Sequence, residues 1–146
     1  MFERILVICT GNICRSPMVE ALLRQQLQQA GRKVEIRSAG VGALVNYPAD
    51  EPARERMKQR GLDLEAHRAQ QFNSELGHWA DLILVMEKAQ REAVADIDPT
   101  ARGKTYLLGH WQGGKEIPDP YKRPDSVYTE ALALIDETLP SWIKKL

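Results

Sequence analysis

Four short apolar runs set the frame of the chain. Ile5–Ile8 and Leu82–Met86 are apolar throughout, which suits strands buried on both faces of a parallel sheet. Lys33–Ser38 alternates, with Val34 and Ile36 on one face, and reads as an edge strand. Thr105–Leu108 reads as a fourth strand. Helical spacing fills the intervals. Val19, Leu22, Leu23, Leu27 and Ala30 follow Ser16-Pro17, where Ser16 is expected to cap the helix and Pro17 to take its first position. Gly31 stops it. Asp50 is expected to cap a second helix, with Pro52 in its first turn, Ala53 and Met57 facing inward, and Gly61 at its end. Asn73–Trp79 predicts a short helix and Lys88–Ile97 another, followed by a turn at Asp98-Pro99. Tyr128, Leu132, Ile135, Leu139, Trp142 and Leu146 form the stripe of a last helix that begins near Pro124-Asp125. Pro140 falls inside that stripe and predicts a kink or break near Leu139. Leu62–Phe72 has no clear period and reads as irregular. Gly109–Arg123, rich in Gly, Pro and polar residues, reads as a long loop.

Strands that alternate with helices predict an α/β fold: a three-layer, doubly wound sheet of four parallel strands, order 2-1-3-4, with helices on both faces. A chain of 146 residues suits one domain, 1–146. Such sheets bind ligands beyond the carboxyl ends of their strands, where strand order reverses. The loop after the first strand and the loop after the fourth therefore share one rim, although they lie far apart in sequence.

Charge narrows the partners. Twenty Lys and Arg balance twenty Asp and Glu, so the chain as a whole has no attraction for nucleic acid or an anionic membrane. Any anion must be held by a local site. The apolar stretch near the N-terminus is too short for a signal peptide, and no segment approaches the length of a membrane span. The only two cysteines, Cys9 and Cys14, share one loop, which is no secreted disulfide framework. A cytoplasmic monomer with reduced thiols is expected. Neither the cysteines nor His67, His78 and His110 have the spacing of a metal site, and no cofactor is expected.

The chemistry concentrates in Cys9-Thr10-Gly11-Asn12-Ile13-Cys14-Arg15-Ser16-Pro17. A helix N-terminus offers free N–H groups and partial positive charge to an anion. Gly11 and Asn12 tolerate conformations that turn successive N–H groups toward one centre. Arg15 adds a planar fork for two phosphate oxygens. The same field is expected to lower the Cys9 pKa from about 8.5, so that it is a thiolate at neutral pH. These parts suit in-line attack of sulfur on phosphorus. A leaving oxygen then needs a proton, and Asp119, between Pro118 and Pro120 on the expected rim, is the candidate donor.

This loop, together with Asp119-Pro120-Tyr121, Ser38-Ala39-Gly40 and Asp81-Leu82-Ile83-Leu84-Val85-Met86, closely resembles the low molecular weight protein tyrosine phosphatases over nearly the whole chain. The resemblance implies Cys9 as nucleophile, Arg15 as phosphate ligand and Asp119 as general acid. It implies that Thr10, Gly11, Asn12, Ile13 and Cys14 also line the phosphate, and that Asn12, Ser38 and His67 support the loop. Ser16 matches the hydroxyl beside the thiolate. Cys14 matches a second cysteine that can form a reversible disulfide with Cys9. Animal members carry an aromatic wall after Ser-Ala-Gly and a second tyrosine after Asp-Pro-Tyr. Here Val41-Gly42-Ala43-Leu44-Val45 and Lys122 stand instead, as in the bacterial exopolysaccharide-type branch, which leaves Leu44 and Tyr121 as the walls around a substrate ring. Members of that branch act on a tyrosine autokinase that controls polysaccharide export, so such a kinase is the implied partner. Two rivals share the signal. A thioredoxin-coupled arsenate reductase has a similar loop but needs resolving cysteines elsewhere, and none follows Cys14. A phosphotyrosine-binding module without turnover would lack the nucleophile or the acid, and both are present.

Overall fold

The computed structural model describes residues 2–146. Four strands, β1 (Arg4–Cys9), β2 (Glu35–Gly40), β3 (Leu82–Val85) and β4 (Thr105–Leu107), form one sheet in the order β2-β1-β3-β4. All three pairings are parallel, with Ile8 opposite Ala39 and Val85, and Cys9 opposite Gly40. This is the expected topology. Its physical basis is visible in β1. Ile5, Val7 and Cys9 enter one core cluster, while Leu6 and Ile8 enter the other. Successive strand residues point to opposite faces, so a strand covered on both sides is apolar at every position.

Helices α1 (Arg15–Gln29), α2 (Glu51–Lys58) and α5 (Asp125–Lys145) contribute to the first cluster. Helices α3 (Ser74–Trp79) and α4 (Lys88–Ile97) contribute to the second. Asn73 caps α3 through its side chain, accepting from Leu76 N at 2.9 Å. Gly31 and Gly61 follow α1 and α2 with φ of 72° and 77°, where a glycine is favoured.

Four local expectations are corrected. Helix α1 begins at Arg15, with Cys14 as its N-cap residue and Pro17 in its first turn. Ser16 makes no cap because its hydroxyl faces Cys9. Asp50 stands at the N-cap of α2 without a side-chain cap bond, since its carboxylate accepts from Tyr128 and Cys14 instead. Asp98-Pro99 opens a 3-10 helix (Pro99–Lys104) and not a simple turn, and the loop after β4 includes a short 3-10 segment (His110–Gln112). Finally, α5 passes through Pro140 without a break. Pro140 is exposed, while Leu139, Trp142 and Leu146 on either side are buried. Trp142 Nε1 also donates to Leu108 O at 2.7 Å. Burial and this bond hold the last turns in place against the missing N–H.

Candidate active site

β1 ends at Cys9, and the next five residues climb to Arg15 at the start of α1. Sequence-distant segments hold this loop. Asn12 has φ 59° and is fully buried. Its Nδ2 donates to Ser16 Oγ at 2.8 Å and to Ser38 Oγ at 3.0 Å, while its Oδ1 accepts from Gln70 N at 2.9 Å. His67 Nε2 lies 2.6 Å from Asn12 O. A carbonyl only accepts, so Nε2 carries the proton. Ser38 Oγ, having accepted from Asn12, donates to Glu20 Oε1 at 2.6 Å. Arg24 in turn bonds Glu20 Oε2 at 2.8 Å and Ile36 O at 2.9 Å.

Gly40 permits this closeness. A Cβ there would lie 2.3 Å from Thr10 O and 3.1 Å from Asn12 N. Any larger residue would push the end of β2 off the loop.

At the centre, Cys9 Sγ receives the Asn12 N–H at 3.2 Å and lies 2.9 Å from Ser16 Oγ. Ser16 accepts from Asn12 with one lone pair, and its own proton can point at the sulfur, the only direction open when the sulfur is a thiolate. Two donors on one sulfur suit a sulfur bearing negative charge. Arg15 is 1% exposed. Its Nη1 donates to Glu87 Oε1 at 2.9 Å and Ile117 O at 2.7 Å, and its Nη2 faces Asp119 Oδ2 at 3.6 Å. Its Nε is buried without a hydrogen-bond partner. A buried guanidinium with N–H groups to spare is suited to receive anion oxygens.

Cys9, Thr10, Gly11, Ile13, Cys14 and Arg15 line a cleft of about 180 Å³ with Leu44, Asp119 and Tyr121. The loop after β4 thus meets the loop after β1, as the topology requires. Asp119 remains 47% exposed at its side chain, and its Oδ1 accepts from Tyr121 N at 3.1 Å. Leu44 is tied to the loop by Leu44 N→Gly11 O at 3.1 Å. The Asn12 side chain turns into the protein and holds the loop from behind, through Ser16, Ser38 and Gln70. Cys14 Sγ donates to Asp50 Oδ2 at 3.6 Å. Burial pushes the Cys14 thiol well above its ordinary range, an effect the Tyr128 hydroxyl opposes and the Asp50 carboxylate reinforces. Both cysteines are free thiols.

Sequence reasoning missed Glu20, Gln70, Gln71, Glu87 and Gln90. Gln71 clamps the loop after β2 through Ala43 N→Oε1 at 3.0 Å and Nε2→Val41 O at 2.9 Å. Glu87 and Gln90 stand at the cap and third positions of α4, and that acidic-x-x-Gln spacing before a helix was the legible signal. A larger hollow of about 760 Å³ beside α2 includes Glu51, Arg54, Lys58 and Asp63 but neither cysteine. Among the described residues no cluster of three His, Cys, Asp or Glu could hold a metal ion, and no helix is long and apolar enough to cross a membrane.

Comparison with known proteins decides the family. The model of the low molecular weight phosphotyrosine protein phosphatase family matches residues 4–146. The chain belongs to this family. It is 45% identical over 145 residues to the low molecular weight protein-tyrosine-phosphatase Ptp of Acinetobacter johnsonii, covering 99% of each. Among solved structures, Vibrio vulnificus Wzb in complex with benzylphosphonate superposes with a TM-score of 0.93, at 45% identity and 100% coverage of both chains. The likeness runs to Wzb, as the Val41–Val45 loop implied for the exopolysaccharide-type branch. The fold also extends to YwlE arginine phosphatase, solved as a cysteine-to-serine mutant with a phosphorylated active-site serine. Its TM-score is 0.92 at 31% identity, with 98% of this chain and 95% of that one covered. As a member of this family, the chain is a protein-tyrosine-phosphatase.

Proposed function

We propose that the phosphatase hydrolyses phosphotyrosine in proteins through a phosphocysteine formed on Cys9. The observation that carries this reading is that Cys9 Sγ, the buried Arg15 guanidinium and the Asp119 carboxyl line one cleft. The sulfur attacks phosphorus as the bond to the tyrosyl oxygen breaks, and Asp119 gives that oxygen its proton. The N–H groups of Thr10 to Arg15 and the Arg15 fork stabilise the charge on the equatorial oxygens. The Asp119 carboxylate then takes a proton from water, the water oxygen attacks phosphorus, and the S–P bond breaks to release inorganic phosphate and the Cys9 thiolate. Ser16 and Asn12 stabilise the sulfur, and Ser38 and His67 hold the loop that presents it. Residues 1–146 act as one domain.

The lining residues favour an aryl ester. Ile13, Leu44 and Tyr121 give apolar surface for a ring, and the complex of Wzb with benzylphosphonate supports the same reading by analogy. A phosphoarginine side chain, the YwlE case, would bring a polar guanidinium against that surface. As the natural substrate we propose a bacterial tyrosine autokinase of exopolysaccharide production, met in the cytoplasm. Hydrolysis of matched phosphotyrosine and phosphoarginine peptides tests the chemistry. Phosphotyrosine should be preferred by at least about tenfold, roughly the discrimination expected from one mismatched polar group. An enzyme that turned over phosphoarginine faster would overturn it. For the partner, a substrate-trapping Asp119→Ala protein should retain the phosphorylated kinase from a lysate, and free phosphotyrosine analogues should release it. Capture of other phosphoproteins only would redirect the assignment.

A further inference from the structure

Gln90 is 2% exposed, yet it sits on an amphipathic helix, where an apolar residue is the usual occupant of such a position. Its carboxamide is committed on both sides. Oε1 accepts from Met86 N at 2.8 Å and from Glu87 N at 3.0 Å. Nε2 donates to Thr10 Oγ1 at 3.0 Å and to Glu87 Oε2 at 3.4 Å. The two backbone N–H groups fix which end is oxygen, so the end that faces Thr10 is the NH₂. Thr10 Oγ1 is therefore an acceptor toward Gln90, and its own proton is presented on another side. Thr10 is the first residue of the loop after Cys9 and lines the cleft.

The neighbouring group of the same cap reaches the other end of the loop. Glu87 accepts from Arg15 Nη1 at 2.9 Å. The first turn of α4 thereby holds both ends of the phosphate loop: Arg15 through Glu87, and Thr10 through Gln90. Met86 O also accepts from Ile117 N at 3.0 Å, which ties the segment leading to Asp119 into the same turn.

We infer that Gln90 is a positioning residue for the reaction, acting through the Thr10 hydroxyl to hold the first residue of the loop in register with the phosphoryl group. The inference rests on the reading that this loop binds phosphate. Gln90→Glu keeps both acceptor contacts to Met86 and Glu87 but, when ionised, reverses the contact with Thr10, whose hydroxyl must then donate, and sets a like charge beside Glu87 Oε2. Gln90→Met removes every polar contact at similar volume.

The test is a double-mutant cycle on kcat/KM for p-nitrophenyl phosphate, with the inhibition constant of inorganic phosphate measured alongside. Gln90→Met, Gln90→Glu and Thr10→Val should each lower kcat/KM by about 5- to 10-fold, the range of one lost hydrogen bond. Each should also weaken phosphate inhibition. Gln90→Met combined with Thr10→Val should fall by much less than the product of the single effects, because both remove the same contact. Multiplicative losses would overturn the inference. So would a Gln90→Met or Gln90→Glu protein of lowered Tm with unchanged kcat/KM, since that is a purely structural role. If Gln90→Met does not fold, the cycle is run with Gln90→Leu, which likewise removes every polar contact. A wild-type protein inactive on p-nitrophenyl phosphate would instead remove the underlying phosphatase reading.

Discussion

Sulfur and its donors define the residue scale. Ser16 Oγ accepts from Asn12 and, toward a Cys9 thiolate, is the group that donates. A hydrogen bond to a charged group contributes about 1.5–3 kcal/mol. Ser16→Ala should therefore lower kcat on p-nitrophenyl phosphate by about 10-fold or more, with the overall fold retained by circular dichroism. An unchanged kcat would mean that the hydroxyl does not serve the sulfur. Cys14 behaves oppositely. Burial, with Asp50 beside it, holds its thiol protonated. In a Cys9→Ser protein, Cys14 should resist iodoacetamide at pH 8 until the chain is unfolded in urea. Rapid labelling of the native protein would show that the Cys14 site opens.

At the scale of elements, β2 and the loop meet backbone to backbone. Gly40→Ala places a Cβ against Thr10 O and Asn12 N, both backbone atoms. Overpacking of this kind costs about 1–3 kcal/mol, so urea unfolding should show a loss in that range. The activity should fall further than the stability, because the displaced atoms belong to the loop. A fully active, fully stable Gly40→Ala protein would show that β2 moves freely there. β1 and β3 were legible in the sequence because burial on both faces makes their runs continuously apolar, and β2 because its exposed and buried positions alternate. The nucleophile loop was legible because its residue types are chemically unusual together. Gln70 and Gln71 were not, since they lie in a segment without period that is fixed by hydrogen bonds to residues far away in sequence, and His67 was reached there only through the family resemblance. Glu20 was hidden differently, because periodicity assigns polar helix residues to solvent; the capping spacing of Glu87 and Gln90 marked a helix start, but only the meeting of α4 with the loop turns them toward the site. Pro140 misled because a local backbone rule was overridden by the burial of Leu139, Trp142 and Leu146 around it.

For the whole molecule, acid stability has a traceable source in the sheet. Asp81 Oδ2 accepts from Glu3 N at 2.9 Å and Arg4 N at 3.0 Å, joining the start of β3 to the start of β1. The bond from Glu3 N, the largest cause, holds the Asp81 carboxyl below its ordinary range. A carboxyl lowered on folding stabilises the protein at pH values above its unfolded pKa of about 3.9. That contribution is lost as pH falls through the lower folded value. Asp81→Asn should flatten the stability curve below about pH 4 and leave its shape at neutral pH unchanged. An acid limb identical to wild type would place the titrating groups elsewhere.

The account turns on sulfur becoming covalently bound to phosphorus. Mixing the protein with p-nitrophenyl phosphate, quenching in acid within the first turnovers, and mapping the modified peptide by mass spectrometry tests it most directly. A phosphate adduct should appear on the peptide containing Cys9, be absent from Cys9→Ala, and accumulate further in Asp119→Ala, where hydrolysis lacks its base. Turnover with no adduct, or an adduct on any other residue, would contradict it.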